Sequence, residues 1–269
     1  MGEIKKFQRL HISMEIDSDP FDRQKRIPSW EQGPITDANV LVVGAGALGN
    51  EVVKSLCQLG VGKITLVDYD IVVKANLNRC LFFTPEDAEN KMLKAEAIAE
   101  RAQKQYPETK ISYIIRKVEE LKEEFYSEFD CAFSCLDNLN ARLHLNAQCY
   151  GKIPLIDGGT TGFLGKVQVV KSPSSCIECA MSKNDYKLLW QKYSCVGEVL
   201  DFIDPKMPAL STTNSIIAAL QVNEFLKLRM DSLKNENNLV GKYLLFDGRK
   251  NGFRIFEVQK RKECPVHLL

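Results

Sequence analysis

Excess charge is almost absent from this sequence: 36 Lys and Arg stand against 35 Asp and Glu, a net of +1. No global field therefore draws the chain to nucleic acid or to an anionic membrane, although a local basic patch remains compatible with that balance. Histidine is nearly as scarce. With only His11, His144 and His267, a Ser-His-Asp hydrolytic set is hard to build. No uninterrupted apolar run reaches the roughly eighteen residues of a membrane helix. The polar start, MGEIKKFQRLHISMEIDSDP, lacks the apolar core of a signal peptide, so cytoplasmic residence is the expectation. No internal repeat or low-complexity tract stands out.

What is present is enough for a substantial core. At 269 residues and 45% hydrophobic side chains, the chain sits near the upper size of one domain. We expect a single domain over residues 1–269, with an N-terminal arm at 1–37, a crossover segment at 182–208 and a C-terminal hairpin at 241–267. Nine cysteines, an odd number, are spread along the chain and do not fit a disulfide framework in a reducing compartment. Cys57, Cys80, Cys131, Cys135 and Cys149 lie within or beside apolar segments, where a free thiol acts as a small buried hydrophobe.

Residues 39–70 read as strand, glycine turn, helix, strand. Residues 39–43 are an apolar, Val-rich run, as expected of a parallel strand covered on both faces. Gly44, Gly46 and Gly49 form a G-x-G-x-x-G turn. Such glycines let the chain turn sharply and let phosphate approach the unpaired N–H groups of the helix that follows. A second strand at 63–67 ends at Asp68, roughly twenty residues beyond the glycines, where an acid can hold ribose hydroxyls. The unit predicts an adenosine nucleotide. Its structural alternative is a βαβ unit whose glycines only permit close packing.

Arg23, Lys25 and Arg26 precede this unit as a solvated basic segment. After it, Asn76 and Arg79 lie three apart with Phe82 and Phe83 behind them. A helix over residues 91–105 places Lys94 in its first turn, where a positive charge gains nothing from the helix dipole and favours an external anion. Strands follow at 111–115 and 130–134, the latter leading to Asp137. This acid either faces the crevice at the carboxyl ends of the strands or caps the helix at 139–150. A strand at 153–156 runs into a small-residue turn at 157–162, and another strand at 163–170 follows. An apolar helix starts at Ser211, and strands at 243–246 and 253–258 make a hairpin.

Cys176 and Cys179 form a C-x-x-C pair, and Cys264 and His267 a C-x-x-H pair. Three thiolates and one imidazole suit tetrahedral zinc, and four protein ligands leave no open position, which makes the metal structural. It would staple the C-terminal hairpin to the segment leaving the main sheet. The alternative is a redox pair or ordinary thiols at Cys176 and Cys179.

The ordered set GAGALG, LVDYD, ANLNR, LKAEA, CLDNLNAR, LIDGG, CIEC and the final C-P-V-H resembles the ubiquitin-activating enzymes and their bacterial relatives, the ThiF/MoeB adenylyltransferases. The resemblance covers about residues 21–267. It implies an α/β fold: a Rossmann-like, mostly parallel sheet flanked by helices, with a C-terminal antiparallel hairpin and a structural zinc site. It also implies an enzyme that uses ATP and magnesium to adenylate the C-terminal glycine of a ubiquitin-like or sulfur-carrier protein, most simply as a homodimer. By motif position, Gly44, Gly46 and Gly49 form the phosphate turn, Asp68 holds ribose, Asn76, Arg79 and Lys94 line the triphosphate, and Asp137 binds magnesium. Lys91 competes with Lys94 for its role, since the spacing before it is longer than in many relatives. Arg23 matches an arginine that reaches the partner's site in homodimeric relatives. His267 departs from the second C-x-x-C usual in the family.

Cys195 falls where several relatives carry a thioester-forming cysteine. Lys187 and Lys192 nearby would lower its pKa, and its alternative is an incidental thiol. A conjugating enzyme, if recruited, must use a surface other than a domain after the second knuckle. Two other functions stay open on the residues alone: an NAD-dependent oxidoreductase built on the first βαβ unit, and adenylation of a peptide or small-molecule carboxylate. A non-catalytic scaffold is disfavoured because the nucleotide residues are all present.

Overall fold

The computed structural model describes residues 18–181 and 208–268. Its strands are β1 (Asn39–Val43), β2 (Lys63–Val67), β3 (Lys110–Ile114), β4 (Cys131–Ser134), β5 (Leu155–Thr161), β6 (Leu164–Val170), β7 (Lys242–Asp247) and β8 (Gly252–Glu257). They form one sheet in the order β3-β2-β1-β4-β5-β6-β7-β8. The strands from β3 to β5 are parallel, and β6, β7 and β8 are added antiparallel. The helices are α1 (Asp22–Lys25), α2 (Gln32–Thr36), α3 (Ala47–Leu59), α4 (Pro85–Glu89), α5 (Lys94–Gln105), α6 (Leu139–Cys149) and α7 (Ser211–Arg229). Among the described residues, no helix is long and apolar enough to cross a membrane.

The apolar run of β1 is continuous because both faces are covered. Val40 and Val42 enter one core with Ile64, Leu66, Phe133 and residues of α3, α5 and α7. Leu41 and Val43 enter a second core with Ala132, Leu145, Cys176, Cys179 and Cys264. Each such side chain, fully buried, contributes about 1.5–3 kcal/mol. The two-sided covering fixes the sheet as the middle layer, with its carboxyl edge open.

Two expectations change. Residues 157–162 are no flexible turn: β5 continues to Thr161 and pairs with β6 from Leu155↔Val170 to Thr161↔Leu164. The small residues are there because neighbouring side chains fill the space that theirs leave. A Cβ on Gly158 would lie 2.4 Å from Gln221 of α7, and one on Gly159 would lie 3.1 Å from the Arg142 guanidinium. The helix predicted from residue 91 starts at Lys94, because Lys91 adopts a left-handed φ of 51°. The C-terminal hairpin expected from the sequence is present as β7–β8, at the edge of the main sheet. Residues 1–17 of the arm and 182–207 of the crossover segment, with Cys195, Lys187 and Lys192, lie outside the described residues.

Among the polar residues by which the apolar helix α7 is anchored, one bridges two parallel strands. Gln221 is fully buried, and its Nε2 donates to the carbonyls of Ser134 (3.1 Å) and Ile156 (3.0 Å). It thus ties the ends of β4 and β5 together from above. Replacing Gln221 with Leu removes both donated bonds and should lower stability by about 1–3 kcal/mol, read as a fall in the denaturant midpoint. An unchanged midpoint would show that the two carbonyls are satisfied without it.

Candidate active site

A cleft of about 740 Å³ opens at the carboxyl edge of the parallel strands, lined from Asp68 across Gly44, Gly46 and Asp137 to Lys166 and Leu245. Open α/β sheets hold their ligands at this edge. Gly44, Gly46, Asp68, Asn76, Arg79, Lys94 and Asp137 all line it. They come from the ends of β1, β2 and β4, the segment after β2, and the first residue of α5.

The three glycines of the turn have different tasks. Gly44 has a φ of 100°, and a Cβ there would sit 2.6 Å from the Cys135 carbonyl oxygen. Gly49 is not a cleft residue: a Cβ on it would meet the Gly44 carbonyl oxygen at 1.9 Å. Its role is therefore the close packing of α3 on the turn, the alternative the sequence left open. Gly46 has nothing within 4 Å of a Cβ position and caps α3 without a side-chain bond. The helix amino end there offers unpaired N–H groups and a partial positive charge to the cleft.

Asp68 accepts N–H bonds from Ala45 (2.6 Å) and Asp70 (2.7 Å). Burial raises its carboxyl pKa, and these two bonds oppose the shift. The Lys94 ammonium pairs with Asp70 at 2.7 Å, whereas Lys91 is exposed and outside the lining. Arg79 is folded back, donating to the Asn78 side chain at 2.9 Å and to the Ala75 carbonyl. Asn76 accepts the Val73 N–H at 3.1 Å. The cap of α6 is Asn138, whose Oδ1 accepts from Asn140 N–H at 2.8 Å. Asp137 is exposed and has no capping task, so the capping alternative for it is overturned.

Arg23 is elsewhere in this chain. Gln24 of α1 donates to the Leu59 carbonyl at 3.0 Å, at the far end of a helix about 20 Å long whose other end faces the cleft. The Arg23 side chain is 69% exposed and bonds Asp22.

On the β5–β6 side of the cleft, residues 157–162 are expected from the sequence only as a narrow passage for a glycine-ended tail, with no charged groups singled out. There Arg142 makes a two-pronged ion pair with fully buried Asp157, through Nε at 2.9 Å and through Nη2. Lys166 lies with its ammonium 4.6 Å from the centre of the Tyr243 ring. Burial lowers its pKa and Asp157 opposes the shift. Among the described residues it has no ion-pair partner, so this wall carries net positive charge. The LIDGG and CLDNLNAR motifs contained Asp157 and Arg142, but their pairing depends on β5 being a strand. No local signal marks Lys166.

In the layer shared with α6, Cys176, Cys179, Cys264 and His267 bring their ligand atoms within 4.8 Å of one another. The separations are 3.9 Å for Cys176–Cys179, 3.6 Å for Cys176–Cys264 and 3.7 Å for Cys179–His267 Nε2. A tetrahedron of roughly 2.3 Å bonds spaces its ligands by about 3.8 Å, whereas a disulfide would need about 2.05 Å. The cluster therefore has the donors and spacing for a metal. Tyr150 stacks on the His267 ring at 4.6 Å.

An open α/β sheet with a charged crevice at its carboxyl edge defines the nucleotide-binding class. The chain belongs to the ThiF family, whose model matches residues 21–266. It is 26% identical over 265 residues to the sulfur carrier protein ThiS adenylyltransferase of Escherichia coli, covering 97% of this chain and 94% of that one. It is 33% identical over 173 residues to SUMO-activating enzyme subunit 2 of Dictyostelium discoideum, covering 63% of this chain. The match spans only 24% of that longer relative. In fold it is similar to E. coli MccB solved with MccA, with a TM-score of 0.70 at 21% identity over 88% of this chain and 68% of that one.

The glycine assignments are separable by experiment. Gly49→Ala should cost about 3 kcal/mol of stability, because the clash is with backbone, while Gly46→Ala should unfold like wild type and bind ATP more weakly. Denaturant midpoints and ATP titration measure the two effects. The reverse pattern would contradict the division of tasks.

Proposed function

We propose that this chain uses ATP and magnesium to adenylate the C-terminal carboxylate of a ubiquitin-like or sulfur-carrier protein. The observation that carries this reading is the convergence of Asp68, Arg79, Lys94 and Asp137 around the open amino end of α3 in one cleft. In this reading Asp68 holds the ribose, and Gly46 with the N–H groups of α3 receives phosphate. Asn76, Arg79 and Lys94 turn to the triphosphate, Arg79 leaving its backbone contact and Lys94 its pairing with Asp70. Asp137, exposed and unencumbered, would hold magnesium, an oxygen-seeking ion, which neutralises phosphate charge.

A C-terminal carboxylate is already ionised at neutral pH, with a reference pKa near 3.5, so attack at the α-phosphate needs no general base. What it needs is alignment of two anions and cancellation of their repulsion. The net positive wall of Arg142, Asp157 and Lys166 lies where the incoming tail would run. The glycines at 158 and 159 leave the adjoining strand without side-chain bulk. An NAD-dependent oxidoreductase would share the first βαβ unit but give Arg79, Lys94 and Asp137 no task.

Arg23 belongs to this reading only across a homodimer, since it is remote from its own cleft. Cys195 would then accept the acyl group as a thioester, with pyrophosphate and AMP released in successive steps. Zinc is the metal we assign to the Cys3His cluster, as a structural ion with no open position.

Pyrophosphate exchange tests the proposal. With ATP, magnesium and a ubiquitin-like or sulfur-carrier protein, the chain should exchange labelled pyrophosphate into ATP. Asp137→Asn should lower the rate by about 10²- to 10³-fold without changing the melting temperature. Exchange at the wild-type rate in this variant would remove Asp137 from the mechanism. If homodimerisation supplies Arg23, mixing Arg23→Ala with Asp137→Asn chains should restore part of the activity that each variant lacks alone. No recovery on mixing would rule out the shared site.

A further inference from the structure

The polar groups around the metal cluster form a circuit that reaches the cleft. Asn146 of α6 is fully buried, and its Oδ1 accepts the Ile177 N–H at 3.1 Å, inside the first knuckle. Its Nδ2 has no hydrogen-bond partner among the described residues, and the Asn146 side chain lies beside the Cys176 thiol. A buried amide N–H₂ without a partner is costly, and it is accounted for if Cys176 is a metal-bound thiolate, a far stronger acceptor than a neutral thiol. Gln168 of β6, also fully buried, holds the same knuckle from the other side, its Nε2 donating to the Cys176 carbonyl at 3.3 Å.

The circuit closes through the cleft wall. Asn146 and Arg142 are four residues apart on α6, one helical turn, and so share a face. Arg142 grips Asp157, and Asp157 is the register partner of Gln168 across β5 and β6. The first knuckle is thus tied to the Arg142–Asp157 pair by one turn of helix on one side and by one strand pair on the other.

We propose that Asn146 is the outer-shell donor to the Cys176 thiolate of the metal centre, and that through it the centre fixes the position of Arg142 in the cleft wall. This rests on the metal reading of the cluster and not on the adenylation chemistry. A positioning residue of this kind typically changes metal affinity by about 10- to 100-fold when lost.

Asn146→Asp tests it, because a carboxylate keeps the acceptor for Ile177 N–H and replaces the donor facing sulfur. The variant should release zinc to a colorimetric chelator about 10-fold faster or more than wild type. When loaded with cobalt, its thiolate-to-metal charge-transfer band should shift. Gln168→Leu leaves the sulfur's environment alone and should not shift that band. Amide exchange in residues 139–149 should speed up in Asn146→Asp and in metal-stripped wild type alike, while residues 39–59 stay protected. Should Asn146→Asp fail to fold, Asn146→Ser removes both contacts without burying a charge and is read in the same way. Wild-type zinc release with an unshifted band overturns the outer-shell assignment. Unchanged exchange in residues 139–149 after metal removal overturns the link to Arg142. Wild type that binds no zinc or cobalt at the cluster overturns the whole proposal, whatever its activity with ATP.

Discussion

The close approach of two backbone turns is the constraint on which this structure depends. Gly44 passes beneath the Cys135 carbonyl and Gly49 beneath the Gly44 carbonyl, each with no room for a Cβ. These contacts bring the exits of β1 and β4 together and seat the amino end of α3 over them. Asp68 then reaches the Ala45 N–H from the neighbouring strand, and Asp137 emerges on the other side. The charged groups of the cleft are held to a frame made of backbone, which has few ways to relax.

Much of that frame was legible in the sequence because its signals are local. A Val-rich strand, a glycine turn and an acid at the end of the next strand all lie within about thirty residues, and the structure follows that order. The buried cysteines were legible for the same reason, since each sits in an apolar run. The two halves of the Cys3His cluster were legible despite 84 intervening residues in sequence, because each half carries its own spacing signal.

Long-range complementarity was not legible. Residues 157–162 look like a turn by composition, yet 157–161 are strand residues, and only Gly158 and Gly159 lack side chains to admit Gln221 and Arg142. Reading them as a turn hid the Arg142–Asp157 pair and with it the charged wall opposite the nucleotide half. Gly49 fits a phosphate-binding pattern, but it is spent on packing, a distinction that only the position of the Gly44 carbonyl reveals. The roles of Asp137 and Asn138 differ by one residue, and which of them caps α6 is decided by side-chain direction rather than by residue type.

Taken with membership of the ThiF family, the cleft is suited to bring a nucleotide triphosphate and a carboxylate together against their mutual repulsion. The most direct test is a crystal structure with magnesium and a non-hydrolysable ATP analogue. The account predicts the ribose on Asp68, phosphates against Gly46 with Arg79 and Lys94 turned toward them, and the metal ion on Asp137. Nucleotide bound with its phosphates pointing away from Gly46, or a metal ion that leaves Asp137 untouched, would contradict it.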